Sequence, residues 1–161
     1  MRNRTLIMYA SKYGCTEKAA MLLKSRLGEA EVMNLKYAEV PALASYDTVI
    51  LGSSIYFGKI RKEMALFTSK YQQELLNKRL GLFVCAGMTG EKAEEELKQA
   101  YSEVLYNKAL AKEILGDEID PEKISTLDRW ILRMVKGKGH EAGAGLSVDK
   151  LDKFVLTMSR S

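Results

Sequence analysis

Cysteine, histidine and proline are all scarce in this chain, and each shortage closes off a class of chemistry. The two cysteines, Cys15 and Cys85, make one bridge at most. A chain of 161 residues buries a core without it, so the usage points to a reducing, cytoplasmic compartment. The one histidine, His140, cannot join two distant cysteines in the nitrogen and sulphur sets that zinc or iron–sulphur sites require, and no calcium-loop spacing is present. No metal is expected. No apolar run approaches the roughly eighteen residues that cross a bilayer, and the run from Thr5 to Ala10 is too short for a secretory signal. With 2 prolines and 12 glycines the chain is also far from collagen-like or low-complexity composition.

What is present fits one globular domain over residues 1–161, with 47% hydrophobic and 29% charged residues. Lys and Arg number 25 against 21 Asp and Glu, a net charge of +4 that favours an anionic partner or surface. Nucleic acid, an anionic lipid face and a carboxylated small molecule are all open at this level.

Almost unbroken apolar runs at 5–10, 48–52 and 80–86 predict strands buried on both faces, and 30–35 a further short one. Between them, Ala19, Ala20, Leu22, Leu23 and Leu27 recur at helical spacing up to Gly28, and helices are expected at about 60–69 and 91–106. The stretch 41–46 is too short to assign beyond a turn or helical fragment. Residues 109–115 have a helix-favouring composition, yet a doubly wound sheet calls for a fifth strand there, and strand is the reading adopted. A helix over 122–135 after Pro121, a loop over 137–145 and a last helix over 147–158 capped by Ser147 complete the pattern. The alternation implies an α/β fold, a three-layer sandwich around a parallel sheet.

Ligands of open parallel sheets bind outside the carboxyl ends of the strands. Three loops qualify. Residues 11–16 offer Ser11, Gly14 and Thr16 just before a helix, a turn that can cradle a phosphate or simply cap the helix, and they match neither the Walker A nor the dinucleotide glycine pattern. Residues 53–58 carry Tyr56 and Phe57, either of which can pack on a flat ring or belong to the core. Residues 86–90 hold two glycines that permit close approach. Cys15 at a helix start is a rival nucleophile without a partner base, and Cys85 reads as an inert core residue. Lys59, Arg61, Lys62, Lys78 and Arg79 read as solvated surface, as do Arg129, Arg133, Lys136 and Lys138. The last group interleaves with Trp130 and its apolar neighbours, as an outer helix or a membrane-facing one does.

These loops resemble those of a known family. The segment from Thr5 to Thr16, with Ser11-x-x-Gly14-x-Thr16, resembles the phosphate loop of flavodoxins. Ser53-Ser54-Ile55-Tyr56-Phe57-Gly58 is similar to the second flavin loop of the menaquinone-dependent protoporphyrinogen IX dehydrogenases, with the aromatic shifted by one place. Leu127-Asp128-Arg129-Trp130 resembles a helix of that family which ordinary flavodoxins lack.

The resemblance implies a flavodoxin-like fold, a five-stranded parallel sheet of order 2-1-3-4-5, with FMN at the switch point. Ser11, Lys12, Tyr13, Gly14, Cys15 and Thr16 would hold its phosphate. Ser53, Ser54, Ile55, Tyr56, Phe57 and Gly58 would flank the ring, and Ala86, Gly87, Met88, Thr89 and Gly90 would form the third loop. It implies an FMN-dependent oxidoreductase that passes electrons from an anionic tetrapyrrole to a quinone, with peripheral contact at the inner face of the cell membrane through its basic face. The alternative is an FMN electron carrier between protein partners. The segment 87–108 departs from the enzyme family, being rich in Glu where that family has a basic insertion. Its acidic helix also argues against nucleic acid.

Overall fold

In a computed structural model, residues 4–11, 14–37, 39–56, 59–86, 91–117 and 145–160 are described. In chain order the strands are β1 (Thr5–Ala10), β2 (Ala30–Asn34), β3 (Thr48–Tyr56), β4 (Lys59–Ile60), β5 (Arg79–Cys85), β6 (Ala111–Ile114), β7 (Gly116–Asp117) and β8 (Gly145–Leu146). The helices described are α1 (Cys15–Leu27), α2 (Lys62–Lys70), α3 (Gln72–Leu76), α4 (Glu91–Ala100), α5 (Glu103–Lys108) and α6 (Val148–Ser159). A single 3-10 turn at Leu43–Ser45 settles the ambiguous stretch before β3.

From Leu6 onward β1 is closed to solvent, as a strand covered on both faces must be. The parallel ladder runs β2-β1-β3-β5-β6, and the two-residue β4 pairs antiparallel with the end of β3. With β4 set aside, the order is the expected 2-1-3-4-5. β7 and β8 form a separate antiparallel ribbon just past β6.

Strand alternation sorts the core into two clusters, one for each face. Leu6, Met8, Val49, Leu51, Leu82 and Val84 meet Met64, Phe67, Leu75, Leu97 and Leu105 from α2 to α5. Ile7, Tyr9, Ile50, Phe83 and Cys85 meet Ala19, Ala20 and Leu23 of α1 and Leu151, Phe154 and Met158 of α6. That is the three-layer sandwich. Gly52 stands opposite Phe83 in the β3–β5 ladder, and a Cβ on it would lie 2.0 Å from the tip of the Phe83 ring. Gly28 ends α1 at φ 81, where glycine is favoured, and its N–H reaches the Lys24 carbonyl.

Several elements differ from the expectations. β3 continues through Ser53, Ser54, Ile55 and Tyr56 instead of ending at Gly52, because Ile55 and Tyr56 pair with Ile60 and Lys59. That pairing takes Ile60 out of the next helix, which starts at Lys62. The single helix expected over 91–106 is two. Between them Tyr101 turns into the core, and its hydroxyl donates to the Phe83 carbonyl at 2.9 Å and reaches the Leu51 carbonyl at 3.3 Å. Burial, and next the nearby Cys85, push that phenol well above its ordinary pKa. Ser102 then caps α5 by accepting from the Leu105 N–H.

Arg79 is not simple surface: its guanidinium donates to the carbonyls of Met158 and Arg160 and so holds the end of α6. Residues 111–114 are the fifth long strand. Ser147 caps α6 as expected, accepting from the Lys150 N–H. Gly145 lies in β8 and not in a loop. The helix expected over 122–135, and His140, lie outside the described residues.

At the amino ends of the strands Tyr46 donates to the Glu31 carboxylate, while Arg4 pairs with Glu31 at 3.2 Å and stacks on the Tyr46 ring. The Tyr46 hydroxyl first, and then Arg4, hold Glu31 below the usual carboxylate range against an opposing effect of burial. A carboxylate lowered in the folded state stabilises the fold above its unfolded pKa, about 4.3, and loses that contribution as pH falls through the lower folded value. Urea midpoints measured from neutral to acid pH are expected to fall less steeply for Glu31→Gln than for the wild type. Gly52→Ala is expected to cost about 1–3 kcal/mol in urea unfolding by overpacking against Phe83, with Phe83→Leu in the same chain recovering part of it.

Candidate functional site

The strand register brings the three loops to one edge. Ala10 lies beside Ser53 and Cys85 beside Ser54, so β1 and β5 end at nearly the same level of the sheet while β3 runs on past them to Tyr56. Ser11, Gly14, Cys15, Thr16, Ser54 and Ala86 therefore gather at the carboxyl ends. Lys12, Tyr13, Phe57, Gly58, Gly87, Met88, Thr89 and Gly90 lie outside the described residues, as does the side chain of Tyr56.

The first loop is braced from within. Ser11 Oγ accepts from the Gly14 N–H at 2.9 Å, and Gly14 takes a left-handed φ of 92 that favours glycine. Its carbonyl then accepts from the Lys18 N–H, opening α1. Thr16 is wholly buried in the first turn of α1, and its Oγ1 has no hydrogen-bond partner among the described residues. A buried hydroxyl in that state is one that a ligand oxygen can satisfy.

The second segment is a hairpin, not a loose exit. Ser53 is fully buried, and its hydroxyl accepts from the Arg61 N–H at 3.0 Å and donates to the Ser54 carbonyl at 3.1 Å. Its hydroxyl therefore holds β3 and β4 together. Ile55 packs on the core, while Ala86 is buried at the end of β5. Two participants were not anticipated. The Arg61 backbone closes the hairpin, and the Gly116 carbonyl accepts from Cys15 Sγ at 3.8 Å, joining the first loop to β7. Only the glycine that follows Leu115, with its φ of 103, signals the second in the sequence.

The flavodoxin domain family matches residues 6–143. The chain belongs to that family. Over 103 residues it is 30% identical to a protoporphyrinogen IX dehydrogenase (quinone) of Escherichia coli (strain K12), covering 62% of this chain and 56% of that protein. The chain thus spans little more than half the length of that curated relative. It is 32% identical over 117 residues to an uncharacterized protein of Methanocaldococcus jannaschii, covering 71% of this chain and 72% of the other. Among solved structures it resembles a short-chain flavodoxin associated with a bacterial microcompartment, at TM-score 0.57 and 18% identity over 86% of this chain and 100% of that one. Oxidised flavodoxin 1 of Bacillus cereus gives 0.52 and 17% over 85% and 100%. At those identities the structures show the fold alone.

The cofactor of this flavodoxin domain is FMN, and the first loop fits it on one observation of its own. The orphaned Thr16 hydroxyl sits at the start of a helix, where amides and dipole favour an anion such as a phosphate. Among the described residues no His, Cys, Asp and Glu cluster could hold a metal, and no helix is long and apolar enough to cross a membrane.

Thr16→Val keeps the shape and removes the hydroxyl. FMN binding, followed by flavin fluorescence, is expected to weaken about tenfold or more, the worth of one hydrogen bond to a charged group. The flavin-free protein is expected to be no less stable to urea than the wild type. A valine variant that binds FMN as tightly as wild type would remove Thr16 from the site.

Proposed function

We propose that this chain is an FMN-dependent oxidoreductase that takes hydrogen from an anionic, carboxylated tetrapyrrole such as protoporphyrinogen IX and delivers the electrons to a quinone. The observation that carries this reading is the 30% identity over 103 residues to a protein named for that reaction. When bound, FMN supplies the redox chemistry, and the protein supplies orientation and environment.

Each described loop residue has a part in that arrangement. Ser11 braces the first loop through Gly14, leaving the Thr16 hydroxyl available for a phosphate oxygen. Ser53 pins the β3–β4 hairpin through the Arg61 N–H, and so fixes the described end of the second segment. Ala86, buried at the end of β5, is the described residue from which the third segment starts. No general base is assigned to this chain. The net charge of +4 suits both a carboxylated substrate and peripheral contact with an anionic membrane face.

The test is anaerobic. FMN-loaded protein, reduced with dithionite, is mixed with a soluble menaquinone analogue, and porphyrin fluorescence then follows protoporphyrinogen oxidation under quinone. Rapid quinone reduction with porphyrin formation is the expected result, together with salt-sensitive binding to anionic vesicles. Retained flavin that reduces no quinone would overturn the reading and leave a carrier between protein partners.

A further inference from the structure

We infer that Cys15 and Cys85, set on the same face and at the same end of the sheet, form a reversible intramolecular disulfide under peroxide, and that this bond weakens FMN binding. Both residues are buried, at 4% and 3% exposure, and no disulfide joins them in the structure. Leu82 and Val84 of β5 face α2 to α5, whereas Phe83 and Cys85 face α1 in the apolar cluster that holds Cys15.

Their levels also agree. Val84 pairs with Ile114, and the Leu115 N–H donates to the Val84 carbonyl, so the ladder continues with Leu115 beside Cys85. Parallel strands lie about 4.8 Å apart. Cys15 Sγ already reaches the Gly116 carbonyl, the next residue along, at 3.8 Å. The thiol of Cys15 thus lies one residue beyond the backbone that flanks Cys85. Disulfides join Cα atoms about 4.4–6.8 Å apart, and Cys15 follows a left-handed glycine that can yield the remaining shift.

The chemistry balances with peroxide as oxidant. One thiol gives up its proton and attacks peroxide as the thiolate, an S–O bond forms as the O–O bond breaks, and the departing hydroxide takes up the released proton to leave as water. The second thiol attacks that sulfenic sulphur, the S–S bond forms, and the hydroxyl leaves with the second thiol's proton as another water. Two electrons pass from the sulphurs to peroxide, and a dithiol reverses the bond by exchange. The bond would draw the first residue of α1 toward β5 and carry Thr16 with it. FMN phosphate would then lose its best-fitting donor. The effect on flavin rests on the FMN reading, whereas formation of the bond does not.

The experiment treats the folded, flavin-free chain with hydrogen peroxide and reads intact mass, non-reducing peptide maps and FMN titration before and after dithiothreitol. The expected result is loss of two hydrogens, a cross-linked peptide pair containing Cys15 and Cys85, about tenfold weaker FMN binding, and recovery of both on reduction. Cys85→Ala is expected to take up peroxide without the cross-link and to keep its FMN binding. Absence of the cross-link in wild type, or a cross-link that leaves FMN affinity unchanged, would overturn the inference. FMN binding by the reduced wild type is the reference that separates this failure from a failure of the flavin reading.

Discussion

The parallel register of β1, β3 and β5 is the constraint on which the rest depends. It sets Ala10, Ser53 and Val84 side by side, and because parallel strands share a direction, it sends all three following segments out of the same edge. Segments more than 70 residues apart become neighbours without touching in sequence. The register holds because both faces of the sheet are covered, so a slip by one residue would exchange the two apolar clusters and expose neither to its partner helices.

Small residues and buried hydroxyls adapt that frame to the site. Gly52 leaves room for the tip of the Phe83 ring, which shares one cluster with residues of α1 and α6. Tyr101 does comparable work on the other face, where its hydroxyl satisfies two strand carbonyls and breaks α4 from α5. Ser53 fastens the hairpin, and Ser11 fastens the first loop. Each is a short polar contact inside an apolar layer, where a hydrogen bond is worth making because the unpaired group would be costly. Thr16 is the exception, a buried hydroxyl without an acceptor among the described residues.

The interplay of the first loop with β7 adds a contact that ordinary reading of the loops does not provide. Cys15 touches Gly116, and the Ser147 N–H reaches the Leu115 carbonyl, so the first loop, the end of β6 and the start of α6 are joined. Leu115, wholly buried, lies at the centre of these contacts.

The sequence by itself determined the long strands, the sandwich and the three loops, because continuous apolar runs at strand length and helical spacing between them are local signals. It also marked Gly14, Gly28 and Ser147, whose roles follow from backbone geometry within a few residues. Tertiary structure decided what depends on partners distant in sequence. β3 runs on to Tyr56 only because β4 pairs with it, the helix after 91 breaks because Tyr101 finds carbonyls 18 and 50 residues away, and Arg79 leaves the surface to hold the end of α6. Residues 111–114 show the same division: their composition favours a helix, and the open edge of β5 makes them a strand, since ladder hydrogen bonds and burial outweigh the small differences in local propensity.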